Sequence, residues 1–334
     1  NKQTGDRRGS PVLKREGMPV INFYKTIAGR VLPVPAVEDG CWVSAICPTE
    51  QEVRYLVDIL GLEQDFVRAA LDEEESSRVE SEEEQTLVIV DVPTAERQDE
   101  EKTVVYSTMP MAIITNNRFI TTVCLRENAV ISELSQGLVK NIQTHLRTQF
   151  LLNILLRIAT RFLQYLKQID KISYTTENLL HKTMRNKELI QILGLEKSLV
   201  YFSTSLKSTE VTLEKILRGR IIKLYDADEE LLEDVIIENK QAIEMANIYS
   251  GILSSMMGTF ASVISNNLNI VMKVLAVITI VMSIPTIVFS AYGMNLSAAG
   301  MPFSRTPWGF LIVIILSVVA SIIAAIFLSR KKFF

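Results

Sequence analysis

Six side chains able to meet a hydrated ion recur along one otherwise apolar stretch of this sequence. Asn269, Met272, Thr279, Ser283, Thr286 and Ser290 follow one another at intervals of 3, 7, 4, 3 and 4 residues, which puts them on one face of a helix. Amides and hydroxyls gain nothing by facing lipid. On the shared face of several packed helices they can line a wet path. The alternative is that the Ser and Thr hydroxyls bond back to their own helix or pack against a neighbour, and the stripe alone does not choose between the two.

Carboxylates are the second candidate chemistry. Asp72, Glu73, Glu74, Glu75, Glu80, Glu82, Glu83 and Glu84 form one cluster, and Asp226, Asp228, Glu229, Glu230, Glu233 and Asp234 another. For most of them a solvated face that keeps the body soluble is the plainer reading. His145 and His181 stand alone in helical stretches and read as surface or packing residues. Cys41, Cys47 and Cys124 lack metal-ligand spacing and read as reduced thiols. No Gly-rich phosphate loop, nucleophile motif or other catalytic constellation stands out, so neither an enzyme nor an organic cofactor is expected.

The elements that must position these residues fall into an acidic body and an apolar tail. From Asn269 onward there are five basic side chains and no carboxylate, so all 38 acidic residues precede it. A body of that charge argues against nucleic acid as a partner, since phosphate binding needs clustered Lys and Arg. Residues 1–17 are polar and are set aside as an extraneous extension. Residues 18–126 alternate strand candidates (RVLPVP, CWVSAI, TLVIVDVP, KTVVYS, MAIIT, FITTVCL) with two helical patterns, Glu50–Gly61 and Glu63–Glu75. Asn116-Asn117 suits a hairpin turn. This is an α/β domain. Residues 127–268 contain no proline and show helical spacing throughout, as a helical bundle and stalk. The last helix there begins near Asp226 and reads as continuous to Tyr292, 67 residues or roughly 100 Å at about 1.5 Å per residue. Its apolar positions Val235, Ile243, Ile252, Met256, Phe260 and Val263 need partner helices.

Two membrane spans follow. Val274–Tyr292 offers 19 residues without a charge, enough to cross the hydrocarbon core. Pro285 inside it is tolerable where neighbours or pore water satisfy the freed carbonyl. Gly309–Leu328 is the second span, entered by Trp308 and left by Arg330-Lys331-Lys332. That basic cluster places the C-terminus in the cytoplasm by the positive-inside rule. The N-terminal body is then expected there too, in a multi-pass protein of the cell membrane. The working division is 269–293 for the first, pore-lining span, 294–307 for an external loop, 308–329 for the second span and 330–334 for a basic tail.

Tyr292-Gly293-Met294-Asn295 ends the first span, and Gly-Met-Asn at that position resembles the CorA family of magnesium transporters. The preceding Asn269, followed by Val271-Met272-Lys273-Val274-Leu275, resembles the family as well, with 26 residues from Asn269 to Asn295. The resemblance implies a homopentameric funnel with the first spans ringed about a central pore and the second spans outside. By position, Gly293, Met294 and Asn295 would form the external selectivity ring, and Thr286 and Ser290 would line the pore. Met272 and Leu275 would sit at a hydrophobic constriction, with Asn269 as a polar ring on its cytoplasmic side. Asp234, 35 residues before Asn269, takes the position of a regulatory carboxylate. Paired with one of Asp72, Glu73, Glu74 or Glu75 of the next subunit, it would bind the cytoplasmic Mg²⁺ that holds the pore shut.

Mg²⁺ suits this chemistry. It dehydrates reluctantly, and a ring of neutral Asn carbonyls can bond to its water shell without stripping it. The absence of Cys and His from the stripe disfavours a soft metal. One departure stands out: many family members carry an acidic residue just past the motif, whereas Leu296–Pro307 has none and includes Arg305. Cation concentration at the mouth would be weaker. The expectation is passive divalent-cation transport, Mg²⁺ first. A transporter of Zn²⁺, Co²⁺ or Ni²⁺, an exporter, and a non-conducting membrane-anchored sensor or scaffold are the alternatives.

Overall fold

The structure, a computed structural model, describes residues 21–98, 103–140, 142–183, 186–219, 221–294, 301–303 and 306–330. The chain divides into two compact units, one through Ser254 and one from Ser255.

The first unit is built on a seven-stranded sheet of order β2-β1-β3-β7-β6-β5-β4. Its strands are β1 (Ile21–Ile27), β2 (Arg30–Val34), β3 (Trp42–Ile46), β4 (Arg78–Glu82), β5 (Gln85–Gln98), β6 (Thr103–Thr115) and β7 (Ile120–Cys124). Only β3 and β7 run parallel; the other neighbours are antiparallel. All the strand candidates named from sequence lie in this sheet. Two strands were not among them. β1 lies in the opening segment, and β4 (RVESE) hides behind its charges, which suit an edge strand that must not recruit another chain. KTVVYS and MAIIT prove to be one strand, β6, running through Pro110. Pro110 lies just beyond Met111, the last β6 residue paired with β7, a place where the sheet tolerates a missing amide. The Asn116-Asn117 turn closes as expected: Asn116 Oδ1 accepts from the amides of Arg118 and Phe119, both at 2.9 Å.

Helix α1 (Glu50–Arg54) opens with a capping box between Thr49 and Glu52 and passes into a π-helical turn, Tyr55–Ile59. Helix α2 (Gln64–Ala69) is shorter than the pattern Glu63–Glu75 predicts. The acidic run ends it. On a continued helix Asp72 and Glu75 would share a face as like charges, and the Asp72 side chain instead accepts from the Glu74 amide at 3.0 Å. These short helices set Val53, Leu56, Phe66 and Val67 against Val43, Ala45, Leu87 and Ile89 in one core.

On the opposite side of β3, Trp42 is fully buried. It stacks on Tyr24 (centroids 4.9 Å apart), touches Phe150 (5.5 Å) and donates from Nε1 to Thr122 Oγ1 at 3.0 Å. Phe150 belongs to α4 (Arg147–Thr183), which follows the Asn128-capped α3 (Ala129–Ser135) and precedes α5 (Asn186–Gly219). Along the β5–β6 hairpin, Tyr106, Phe162 and Phe202 meet edge to face or tilted, drawing α4 and α5 onto the sheet. His145 is exposed, and the side chain of His181 lies outside the described residues. The three cysteines are free. Cys41 and Cys124 are buried, and burial pushes the Cys124 thiol up to about 12, leaving Cys47 as the exposed thiol.

Asp91 on β5 is a buried cost within this unit. Burial raises its pKa, and a hydrogen bond to Ser205 of α5 only partly offsets that. A carboxyl whose folded pKa lies above its unfolded one favours folding at low pH, and that contribution is lost as pH rises through the folded value. Asp91→Asn is therefore expected to raise stability at neutral pH and to abolish the fall in denaturant midpoint that Asp91 contributes as pH rises through its folded pKa, so that midpoints climb more steeply from acid to neutral pH.

Helix α6 (Asp226–Tyr292) is continuous over 67 residues, with the bounds read from sequence, and α7 (Gly309–Arg330) follows it. Both contain segments long and apolar enough to cross a membrane.

Candidate ion-conduction site

Every stripe residue on α6 is exposed, Asn269, Met272, Thr279, Ser283, Thr286 and Ser290, and so is Leu275. The stripe is also longer than the sequence reading made it. Gly251, Ser255, Gly258, Ser262, Ser265, Asn269, Met272, Ala276, Thr279, Ser283, Thr286, Ser290 and Gly293 follow one another at alternating intervals of four and three, and every one is exposed. All but Met272 are small or neutral polar residues. Gly251, Ser255, Gly258, Ser262 and Ser265 precede the apolar window and Ala276 has no polar side-chain atom, so hydroxyls within the span do not reveal them. The unbroken 3.5-residue interval was the available signal. Such a repeat keeps one seam facing partners in a left-handed supercoil of like helices. Leu275 stands one residue off this row.

The half-buried residues of the same span are Val274, Val277, Val281, Ile284, Pro285 and Val288. All but Pro285 lie five positions after a stripe residue, which is about 140° round the helix, and Pro285 adjoins Ile284 on the same side. The buried and half-buried residues of α7 include the small Gly309, Ser317, Ala320, Ser321, Ala324 and Ala325 beside Ile312, Val313, Ile314 and Leu328. Small side chains are what helix contacts in lipid favour. α6 and α7 share a cavity of about 600 Å³ lined by Phe289 and Tyr292 on one side and Phe310 and Val313 on the other. Large apolar residues of α7, among them Leu316, Val319, Ile323 and Phe327, are exposed and suit lipid. Through Ser290 the polar stripe of α6 is thus turned away from the face that α7 covers, and at its end Gly293 lines the shared cavity.

Its hydroxyls do bond back to their own helix, as the alternative reading had it. Thr279 donates to the Leu275 carbonyl at 2.8 Å, Ser283 to Ile280 at 2.8 Å and Thr286 to Met282 at 3.0 Å. That does not remove them from ion chemistry. A hydroxyl whose proton is spent inward presents only lone pairs outward, and lone pairs are what the water protons of a hydrated cation need.

At the end of the span the Gly293 amide donates to the carbonyls of Phe289 (2.9 Å) and Ser290 (3.2 Å), so the helical winding persists to the motif. Met294 is exposed beyond it. Asn295 lies outside the described residues, as do Arg305, Lys331 and Lys332. Where the chain resumes, Phe303 adopts a φ of +63°. Its carbonyl accepts from Thr306 at 3.1 Å, and Tyr292 Oη donates to the Pro302 carbonyl at 3.0 Å.

The regulatory candidates are not brought together within one chain. Among the described residues no group of three or more His, Cys, Asp or Glu is placed to hold a metal. Asp234, Asp72, Glu73 and Glu74 are exposed. Glu75 is paired with Arg78, whose Nε also lies 3.0 Å from Glu80 Oε1.

The comparisons with known proteins agree with this architecture. The "Cobalt/magnesium transport protein CorA" of Methanocaldococcus jannaschii is 28% identical over 223 residues, 65% of this chain and 67% of that protein. The complete structure of the CorA magnesium transporter from the same organism superposes with a TM-score of 0.78 at 25% identity, covering 95% of this chain and 99% of that one. The full-length CmaX protein shares the fold, with a TM-score of 0.66 at 17% identity over 95% of this chain and 99% of its own. The family model described as "CorA-like Mg2+ transporter protein" matches residues 37–331. With five of the seven strands, the long helix α6 and the apolar helix α7 inside that match, the chain belongs to the CorA family of divalent-cation transporters, membrane proteins rather than enzymes.

Proposed function

We propose that the chain forms a homopentamer in the cell membrane, with α6 of each copy around a central pore that passes hydrated Mg²⁺ down its electrochemical gradient. One observation carries this reading: the unbroken exposed row of small neutral groups on α6, opposite the face that α7 covers. Two helices cannot enclose water, so the row needs further copies of itself. Neutral oxygens hold a water shell without trapping the ion by charge, and Gly293, Met294 and Asn295 form the outer ring that selects it. Arg330 and the lysines after it hold the C-terminus, and with it the first unit, in the cytoplasm. The archaeal relative's name couples cobalt with magnesium, which makes Co²⁺ the competing cargo.

The gate is cytoplasmic Mg²⁺ held between neighbouring copies by Asp234 of one and Asp72–Glu75 of the next. Glu75 already shares Arg78, so Asp72, Glu73 and Glu74 are the stronger ligands. Without the cation these carboxylates repel and the interface loosens. Voltage-driven uptake into proteoliposomes, compared for Mg²⁺, Co²⁺, Ni²⁺ and Zn²⁺, tests the cargo. In the same assay Asp234→Ala is expected to raise the internal Mg²⁺ needed for half-inhibition about tenfold, the equivalent of one lost ligand contact. Inhibition unchanged by that substitution removes Asp234 from the gate, and no uptake by an assembled oligomer removes the channel.

A further inference from the structure

The body of this chain is acidic, yet one of its cavities gathers cations that pair with no carboxylate. It encloses about 520 Å³, and His145, Arg147, Lys223, Tyr225 and Asp228 are among its lining residues. All of them belong to the first unit. Three separate segments meet there: the opening of α4, the Asn116-Asn117 turn between β6 and β7, and the link from α5 to α6.

Arg68, Arg78, Arg118, Arg126, Arg161 and Arg218 each stand within 4 Å of a carboxylate. Among the described residues Arg147 and Lys223 have no such partner. Arg147 donates to the Asn117 carbonyl, which holds the guanidinium in place and uses only part of its five N–H groups. The Lys223 ammonium lies 5.3 Å from the centroid of the Tyr225 ring. Thr148 Oγ1 donates to the Lys223 carbonyl at 3.4 Å, tying the link to α4.

The carboxylates nearby are engaged with neutral donors. Asp228 is buried and accepts from the Tyr225 amide at 3.1 Å. Glu84, in the adjoining pocket, accepts from Asn117 Nδ2 at 2.6 Å. The first turn of α4 has no acidic residue. His145 is held close by a tight approach: a Cβ on Gly40 would lie 2.8 Å from the His145 Cβ and 3.2 Å from its Cα. Two cations on one cavity wall repel each other, and an anion with several charged oxygens turns that repulsion into charge-assisted hydrogen bonds. The volume is that of a small-molecule site, about 300–1,000 Å³.

We propose that this cavity binds a soluble polyphosphate, either inorganic or carried by a nucleotide. Arg147 and Lys223 take the phosphate oxygens, His145 donates from the rim, and the exposed Tyr225 ring offers a face to a base. A lipid headgroup is not the source. The cavity lies at the first turn of α6, whose apolar segment starts only at Val274, roughly 70 Å along the helix at about 1.5 Å per residue.

The test is calorimetric titration of tripolyphosphate, and separately of ATP, into the full-length protein in detergent micelles. EDTA is present so that no divalent ion bridges ligand and carboxylates. Binding is read without transport, so its outcome is independent of the pore reading. Saturable binding at one ligand per chain is expected. Lys223→Gln is expected to weaken tripolyphosphate about tenfold, the worth of one charge-assisted hydrogen bond. Lys223→Arg, which keeps the charge, should stay within about twofold, as should Lys215→Gln on the exposed side of α5. Tyr225→Ala separates the two sources. A loss of about fivefold or more with ATP alone assigns the nucleotide, and no loss with either ligand assigns inorganic polyphosphate; both uphold the site. Absence of saturable binding by either ligand overturns the proposal. Equal losses from Lys223→Gln and Lys215→Gln overturn it too, since they mean attraction to surface charge in general.

Discussion

Gly258→Leu is expected to cut Mg²⁺ uptake on the order of 100-fold, about 2.7 kcal/mol of added barrier, while leaving the single chain at least as well folded. Gly258 lies on the exposed row of α6, and a Cβ built there meets nothing within 4 Å. Within one chain the substitution is therefore free of collision. Replacing a mid-helix glycine even strengthens the helix, by about 0.8 kcal/mol. The harm arises only when several copies bring this face together. There a ring of leucines both narrows the passage and dries it, and a cation that keeps its water shell cannot follow. Gly194→Leu is the matched control, since its Cβ also meets nothing within 4 Å and it sits on α5, away from the row. Uptake by reconstituted protein, with helix content and oligomer size measured alongside, checks the prediction. Normal uptake by an assembled Gly258→Leu oligomer would leave the cytoplasmic extension of the row without a role in conduction.

Gly309→Ala is expected to do the opposite, damaging the chain itself. Its Cβ would collide with the Phe303 carbonyl oxygen and lie 3.1 Å from the carbonyl carbon. Both are backbone atoms, which cannot swing aside as a side-chain tip can. The turn is also held from several directions. Gly309 donates to the Thr306 carbonyl at 2.9 Å, Thr306 donates to Phe303 at 3.1 Å, and Phe303 is committed to a φ of +63°. Opening the turn would break those bonds and disturb the stretch that Tyr292 fastens through Pro302. A cost of about 3 kcal/mol or more follows from a buried backbone collision with lost hydrogen bonds. Thermal unfolding in detergent micelles measures it against Gly258→Ala, which carries the same change in helix propensity without the collision. A Gly309→Ala protein that melts with Gly258→Ala would show that the turn yields freely.

These two glycines mark the divide between what could be read from residue order and what could not. Each is a single glycine on one of the two C-terminal helices, and nothing in its neighbours along the chain says whether a Cβ would fit. The distinction comes from Phe303 in one case and from empty space in the other.

Several features were legible from order alone. α6 was bounded correctly at Asp226 and Tyr292 because helical periodicity, the absence of any proline before Pro285 and the loss of carboxylates are properties of a continuous stretch. The two apolar spans, the hydroxyl stripe and Gly293-Met294-Asn295 were readable for the same reason: each is a pattern within one helix or one tripeptide. β3, β5, β6 and β7 showed as strand candidates because a sheet covered by helices on both sides writes its core as apolar runs. β4 did not show, since its stability comes from pairing Arg78–Glu82 with Gln85–Ile89 rather than from its own composition. The early end of α2 reflected repulsion between the like charges of Asp72 and Glu75, which a count of apolar positions does not register.

By itself, then, the residue order determined the class of molecule: an acidic α/β body, a long helix, two apolar spans and a hydroxyl-bearing face on the first of them. Tertiary structure alone decided the parallel seating of β7 beside β3, the covering of Pro285 and Val281, the burial of Ser317 without a partner, and the turning of the polar row away from α7. The physical reason is the range of the forces involved. Periodicity and hydropathy act between neighbours along the chain, whereas strand order, burial and an unspent hydrogen bond depend on which distant segment comes to lie alongside.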